Sequence, residues 1–399
     1  MPAAQEKPTG LVTTSCQPAL DQSQLPSASD PDLVLEPANL PEYEQTWRLN
    51  VDEWKGFLSH PSYLDREVYL ASADLTRDGN ATAWVLTHPK LSKNEDGSRP
   101  ILASCESILK NAYIARNGKV EKVLSHGIGS VYCRPEHRRK GYAQRMMKEL
   151  GTRLDTWQQP KNGKGHFSVL YSDIGPNFYA RQGWKLFPSD HISLKPITKE
   201  QYEQDRITHQ LPKVDDLNVE SLTSLPLIPN LESKLAQLSQ SAPEKQFVAF
   251  RPDMTHFQWH FMREEFLSDY LGKGVPTVKG AIDHQTGIAL IWTRTYSSEA
   301  ADWHLSVLYV HIPQNTSEAD IVPSLSALLL RSQLEASLWE MKAGVEVWEP
   351  RQELIKAAQK IGNDVKVITR DQEHLCSLKW NGSPSDDVVW LANERFAWC

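Results

Sequence analysis

The stretch Val131-Tyr-Cys-Arg-Pro-Glu-His-Arg-Arg-Lys-Gly-Tyr-Ala143 joins a strand pattern to the most regular helix pattern of the chain. Upstream, residues 120–133 are of strand type. Downstream, over residues 141–157, Ala143, Met146, Met147, Leu150, Leu154 and Trp157 fall on one helical face, and Arg145, Lys148, Glu149, Arg153 and Asp155 cover the other. Gly141 permits a tight turn at the junction. The main-chain N–H groups of residues 139–143 then precede or open the first helical turn, where no intrahelical acceptor exists and the helix dipole is positive. With His137, Arg138, Arg139 and Lys140 as adjoining cations, the segment is expected to cradle a diphosphate.

Outward from this turn, the order of elements implies a mixed sheet. Strand-like segments precede it at residues 81–87 and 101–115, after an opening strand at 33–35 and a helical pattern at 42–58. An apolar strand (167–172), a short helix opened by Asp173 or Gly175 with Pro176 in its first turn, and a strand from Trp184 follow it. Strand–helix–strand repeated in this way requires a parallel crossover. Residues 197–246 are polar and interrupted by Pro212, Pro226, Pro229 and Pro243, and are expected to be a connector. Residues 247–399 repeat the order: a helix at 256–270, strands at 277–282, 287–295 and 301–311, a helix at 324–341, a strand at 344–348 and a helix at 350–361. A structural duplication is expected, with the first domain spanning 31–196 and residues 1–30, rich in Pro, Ser, Ala and Gln, a disordered lead-in.

Bulk properties set the limits. The chain has 399 residues, too many for one core, and a net charge of -7, which argues against a nucleic-acid or anionic-membrane partner. Its five cysteines show no paired spacing, so no metal site and a reduced, cytoplasmic setting are expected. No apolar run approaches a membrane span, and neither a transit nor a secretory leader is expected at the start.

The turn fits neither the GxxxxGK[ST] phosphate loop nor the GxGxxG dinucleotide turn. Coenzyme A offers both a diphosphate and a ribose phosphate. Arg138-Arg-Lys-Gly141-Tyr-Ala143, followed by Tyr179-Ala-Arg-Gln-Gly183-Trp184, resembles the cofactor and tyrosine signatures of the GNAT acetyltransferase superfamily. His126-Gly-Ile-Gly-Ser-Val-Tyr132, Leu170-Tyr-Ser-Asp-Ile-Gly-Pro-Asn-Phe-Tyr179 and the terminal Phe396-Ala-Trp-Cys399 are similar to the fungal L-lysine N6-acetyltransferase family of lysine degradation, over almost the whole chain.

The resemblance implies an α+β (mixed α/β) GNAT acyltransferase fold, an N-terminal active domain and a degenerate GNAT-like C-terminal domain. It implies acetyl-CoA as co-substrate and free L-lysine as acceptor, with oligomeric state left open; another small amine, a protein lysine or a non-catalytic acyl-CoA-binding protein are the alternatives. Main-chain groups of Val131, Tyr132 and Cys133 would pair with the pantetheine arm. Arg138, Arg139, Lys140, Gly141, Tyr142 and Ala143 would hold the diphosphate. Ser172 and Asp173 are the remaining cofactor candidates; where many members carry Asn and Ala, this chain has Ser172 and Gly175. Tyr179 would protonate the leaving thiolate.

A lysine amine titrates near 10.4, so its neutral form costs about 4–5 kcal/mol at pH 7 and a base is needed. Candidates are His126, Glu106 and the Cys399 α-carboxylate, the aromatic tail being expected to bury that terminus beside the active site. Cys133 and Cys105 read as packing residues rather than nucleophiles. Substrate contacts are expected from residues 292–303 or from Asp386 and Asp387.

Overall fold

Ala81–Thr87 is buried along its whole length, as expected of an inner strand with apolar residues on both faces. The computed structural model describes residues 11, 15–161, 163–362, 365 and 367–398. The first half runs β1 (Val34–Pro37), α1 (Leu40–Trp54), α2 (His60–Ala71), β2 (Ala81–Thr87), β3 (Ala103–Arg116), β4 (Lys119–Tyr132), α3 (Tyr142–Arg153), β5 (Phe167–Ser172), α4 (Asn177–Ala180), β6 (Lys185–Leu186) and β7 (Asp190–Leu194). Next come α5 (Lys199–Thr208), β8 (Asp215–Leu217), α6 (Val219–Leu222), α7 (Leu227–Ser241), β9 (Lys245–Phe250) and α8 (Met254–Tyr270). The chain ends with β10 (Gly280–Asp283), β11 (Ile288–Thr295), β12 (His304–His311), α9 (Glu318–Leu338), β13 (Gly344–Trp348), α10 (Gln352–Ile361), β14 (Val367–Thr369), β15 (Leu375–Trp380) and β16 (Asp387–Trp390).

Among the described residues these strands form two sheets, one ordered β1-β2-β3-β4-β5-β15-β6 with β9 on the far part of β3 and β16 on β9, the other β14-β7-β13-β12-β11-β10-β8. Helix α3 covers the first sheet. Its Met146, Met147 and Leu150 are fully buried against Trp84, Leu170 and Trp184, each side chain worth roughly 1.5–3 kcal/mol of burial. Helix α1 opens on a capping box between Asn39 and Glu42. This is the mixed α/β GNAT fold, present twice. In both halves three antiparallel strands lead through a helix to a strand parallel to the third: β4 beside β5, and β12 beside β13.

Three differences from expectation have physical causes. Residues 15–30 are not a loose lead-in: Gln17 is buried on Ser98 and Arg99, and Tyr142 and Arg145 donate to the carbonyls of Pro26 and Ala28. Polar contacts there combine with Leu20, Leu25 and Ala28, which pack against the core beneath α3. The stretch 197–246 is not only a connector, because β8 joins the second sheet and α7 packs on β3 and β4.

Most importantly, the two halves exchange strands across the expected break at 196. β7 pairs with β13 in the second sheet, and β15 pairs with β5 in the first. The two-residue β6 is too short to cover the edge of β5, so β15 takes that place.

Because each sheet contains strands from both halves, unfolding is expected to be one cooperative transition. Heating should give coincident midpoints by far-UV circular dichroism and tryptophan fluorescence. Two separated midpoints would contradict the exchange.

Candidate active site

Strands β4 and β5 pair from His126 and Ser168 only as far as Ile128 and Leu170. Past that point they part. The cause lies on the other edge of β4, where Ser104 faces Tyr132 but Glu106 faces Gly129, so β4 carries an extra residue. Ser130 is that bulge, at φ 51. Its hydroxyl donates to Glu106 Oε2 at 2.8 Å, which fixes the bulge and the carboxylate together. The main chain of β4 from Gly129 to Tyr132 is left without a strand partner on the β5 side.

The parting leads directly into the basic turn. Gly141 caps α3 at φ 89, a left-handed conformation in which any other residue is strained by roughly 1–2 kcal/mol. A Cβ there would also stand 3.1 Å from that of Ala28. No side chain caps this helix. Among the described residues no acceptor meets the main-chain N–H of Arg139, Lys140, Gly141, Tyr142 or Ala143. Arg138, Arg139 and Lys140 are exposed beside them, Arg138 pairing with Glu53 at 2.6 Å. Unsatisfied donors at a helix mouth, with an open strand edge next to them, fit a diphosphate with an amide-bearing arm.

Several side chains differ from expectation. His137 adds no charge: it is fully buried, and burial and then Arg134 hold its pKa below the usual value. The Tyr142 ring is core, leaving only its backbone for a ligand. The Cys133 carbonyl already accepts from Arg138 Nε at 3.1 Å, so Val131 and Tyr132 carry the freer edge. The Ser172 hydroxyl is spent inside its own turn, donating to the Gly175 carbonyl at 3.0 Å. Asp173 lines the cavity described below and binds His374 Nδ1 at 3.0 Å.

A cavity of about 320 Å³ opens at the parting between the two halves. Gly129, Ser130, Glu106 and Tyr171 form its floor, α1 and α2 give Tyr43, Trp47 and Tyr63, and the C-terminal half gives Arg263, residues 293–296, Arg395 and Trp398. Glu106 is hydrogen-bonded to Ser130, to Trp47 Nε1 at 3.4 Å and to Tyr43. Burial, and then the neighbouring Glu67 charge, push its pKa up to about 7.

Tyr179 is 7 % exposed, and burial raises its pKa, so the hydroxyl keeps its proton. Cys105 precedes Glu106 on β3 and shares a buried cluster with Tyr179. The Cys133 thiol is pushed up to about 11 by burial, and Cys105 is also raised, so neither is a thiolate.

His126 is not brought to the cavity. It is buried, bonded to Gln158 at 3.0 Å, and burial pulls its pKa down to about 4. The Cys399 carboxylate lies outside the described residues, but the tail before it is buried as expected: Phe396 and Ala397 are fully covered, and the Trp398 ring stacks on Tyr171 at 4.2 Å. Of the expected substrate region, Thr293, Arg294, Thr295 and Tyr296 line the cavity, whereas Asp386 is occupied by Trp380 Nε1 and Asp387 sits on β16. Tyr43, Arg263 and Arg395 were hidden from sequence reasoning, because each lies in a segment whose spacing signals only packing.

In the second half the matching helix mouth is closed. Ser317 caps α9 with its own side chain, and Glu318 and Asp320 fill the first turn. An anion has no place there.

Residues 191–399 match the family model of the LYC1 GNAT-like C-terminal domain, and residues 111–187 match that of an acetyltransferase (GNAT) domain. An uncharacterized protein of Saccharomyces cerevisiae, YGR111W, is 26% identical over 415 residues, covering 93% of this chain and 99% of its own length. A protein named lysine acetyltransferase from Yarrowia lipolytica is 25% identical over 261 residues, 57% of this chain and 64% of that one. Among solved structures, a GCN5-related N-acetyltransferase from Kribbella flavida has 12% identity and a TM-score of 0.47, over 87% of this chain and 70% of its own. A tandem GNAT protein from the clavulanic acid biosynthesis pathway has 12% identity and a TM-score of 0.46, over 89% and 100%. With the first of these family models spanning more than half of its length, and a GNAT domain preceding it, the chain belongs to the GNAT acetyltransferases that carry a LYC1 GNAT-like C-terminal domain.

Proposed function

We propose that this acetyltransferase acetylates the side-chain N6 amine of free L-lysine, as a step in lysine breakdown. The observation that carries the reading is Glu106, a carboxylate with a pKa near 7 at the floor of an aromatic cavity, beside the parting of β4 and β5. A cavity of about 320 Å³ enclosed by both halves suits a small molecule better than a protein tail. The similarity to the Yarrowia protein supports the choice of lysine.

Bound acetyl-CoA would supply a thioester, and the chain's own groups do the rest. Main-chain N–H groups of residues 139–143 hold the diphosphate. The open edge at Val131 and Tyr132 orients the arm. Glu106 takes the proton that the attacking amine must lose, and the Tyr179 hydroxyl gives one to the departing sulfur. Tyr43, Trp47 and Ser130 hold Glu106 in place.

A panel of free amino acids, polyamines and lysine peptides, with mass spectrometry of the product, tests the substrate. Lysine acetylated at N6 is expected; turnover of peptides without lysine turnover would replace the reading.

The base has a pH signature. Glu106 becomes competent as pH rises through about 7, so log kcat/KM should climb with a slope near 2 below that pH and near 1 above it, where only the amine titrates. Glu106→Gln should lower the rate by about 10²–10⁴-fold and leave one slope throughout. Burial disfavours the charged carboxylate, so this variant should melt no lower than the native protein at pH 8. Tyr179→Phe should keep acetyl-CoA affinity while kcat falls.

Gly141→Ala should weaken acetyl-CoA binding by about tenfold in calorimetry, through strain at the helix mouth. An unchanged Kd would mean that this turn does not hold the ligand.

A further inference from the structure

The cavity that holds Glu106 is also lined by two guanidinium groups that form no ion pair with any described residue. Arg263, on α8, makes no hydrogen bond or ion pair with any described residue, although it lies among charged neighbours. Arg395 likewise forms no ion pair with any described residue; its guanidinium lies over the Trp398 ring, 3.7 Å from the centroid.

The acids near them are already engaged. Glu67 is held by Arg66 at 2.6 Å, Asp173 by His374 at 3.0 Å, and Glu346 by Arg370 at 3.4 Å and His304 at 3.6 Å. Two like charges brought together in a poorly hydrated cavity repel and lose solvation. Such an arrangement is retained where an anion completes it. Burial, and then the Arg66 charge, lower the pKa of Arg263 to about 10, which still leaves it cationic at neutral pH.

The diphosphate of coenzyme A does not meet this need, because the donors that suit it lie at residues 139–143, and those residues do not line the cavity.

We propose that Arg263 and Arg395 form a carboxylate clamp, so that the cavity selects a free amino acid by holding its α-carboxylate at this wall while its side-chain amine reaches Glu106. The clamp rests on the proposed lysine reading and names the residues that make the substrate a free amino acid rather than a diamine or a peptide. Planar, five-donor guanidinium groups match a carboxylate in two-point geometry. The Trp398 ring fixes the plane of Arg395, and the enzyme's two halves each hold one end of the substrate: β3 the amine, α8 and the tail the carboxylate.

The test compares L-lysine with L-lysinamide, which keeps both amines and its size but loses the negative charge, and with cadaverine, which lacks the carboxyl group. In the native enzyme, kcat/KM for lysine should exceed that for lysinamide by about 10- to 100-fold. Arg263→Met and Arg395→Met should each cut this preference by about tenfold or more, chiefly through KM for lysine, and Arg263→Lys should restore part of it.

Thermal melting separates a folding defect from a binding one. Arg263 has no partner to lose, so Arg263→Met should melt no lower than the native protein. Equal rates for lysine and lysinamide in the native enzyme would overturn the clamp with the lysine reading intact. Turnover of other amines with none of lysine would overturn that reading itself.

Discussion

The site depends on two neighbouring strands ceasing to pair. β4 and β5 run in parallel register to Ile128 and Leu170 and then separate, because the inserted Ser130 bends β4 away. A bulge leaves main-chain donors and acceptors without partners, a cost that a closed sheet would avoid. Here the orphaned edge is the surface proposed to take the pantetheine arm. The serine that makes the bulge also donates to Glu106. One local irregularity thus sets the strand gap, the direction of the cofactor turn and the position of the candidate base.

The second half explains why Glu106 is unlike a surface carboxylate. α8, β11 and the tail line the cavity over Glu106, and burial there costs the charged carboxylate hydration. That half has given up its own anion site, since Ser317 satisfies the N-terminus of α9 and acids occupy its first turn. It keeps the GNAT topology while serving as a lid. The two halves differ chemically: the first has the uncapped helix mouth, the second lines the cavity with Arg263 and Arg395.

Much of this was legible in the sequence. The element order from residue 81 to 184 and the core face of α3 follow from spacing, because a period of 2 or 3.6 is written locally, whereas the cofactor turn was expected from its glycine and cations and from the GNAT resemblance. The pairing of β15 with β5 was not legible, since strand partners far apart in sequence leave no periodic trace. Glu106 was named as one of several possible bases; what distinguishes it, the approach of Tyr43, Trp47 and Ser130, exists only in three dimensions. His126 was an equal candidate by residue type, and only its bond to Gln158 on the far face removes it from the cavity. Arg263 sits in a helix whose pattern signals packing, and no motif marks a buried arginine that lacks a counter-ion. Residues 15–30 have the composition of a loose segment, yet they are held by polar contacts such as Gln17 with Ser98.

The strand exchange also bears on how the protein is made. A ribosome delivers residues 81–172, with Glu106 and β5 among them, well before β15, which covers β5. The first sheet therefore keeps one edge of β5 bare until β15 emerges, and bare strand edges are prone to mispairing. A transcript cut short before codon 375 yields a polypeptide lacking both that strand and the tail roofing the cavity.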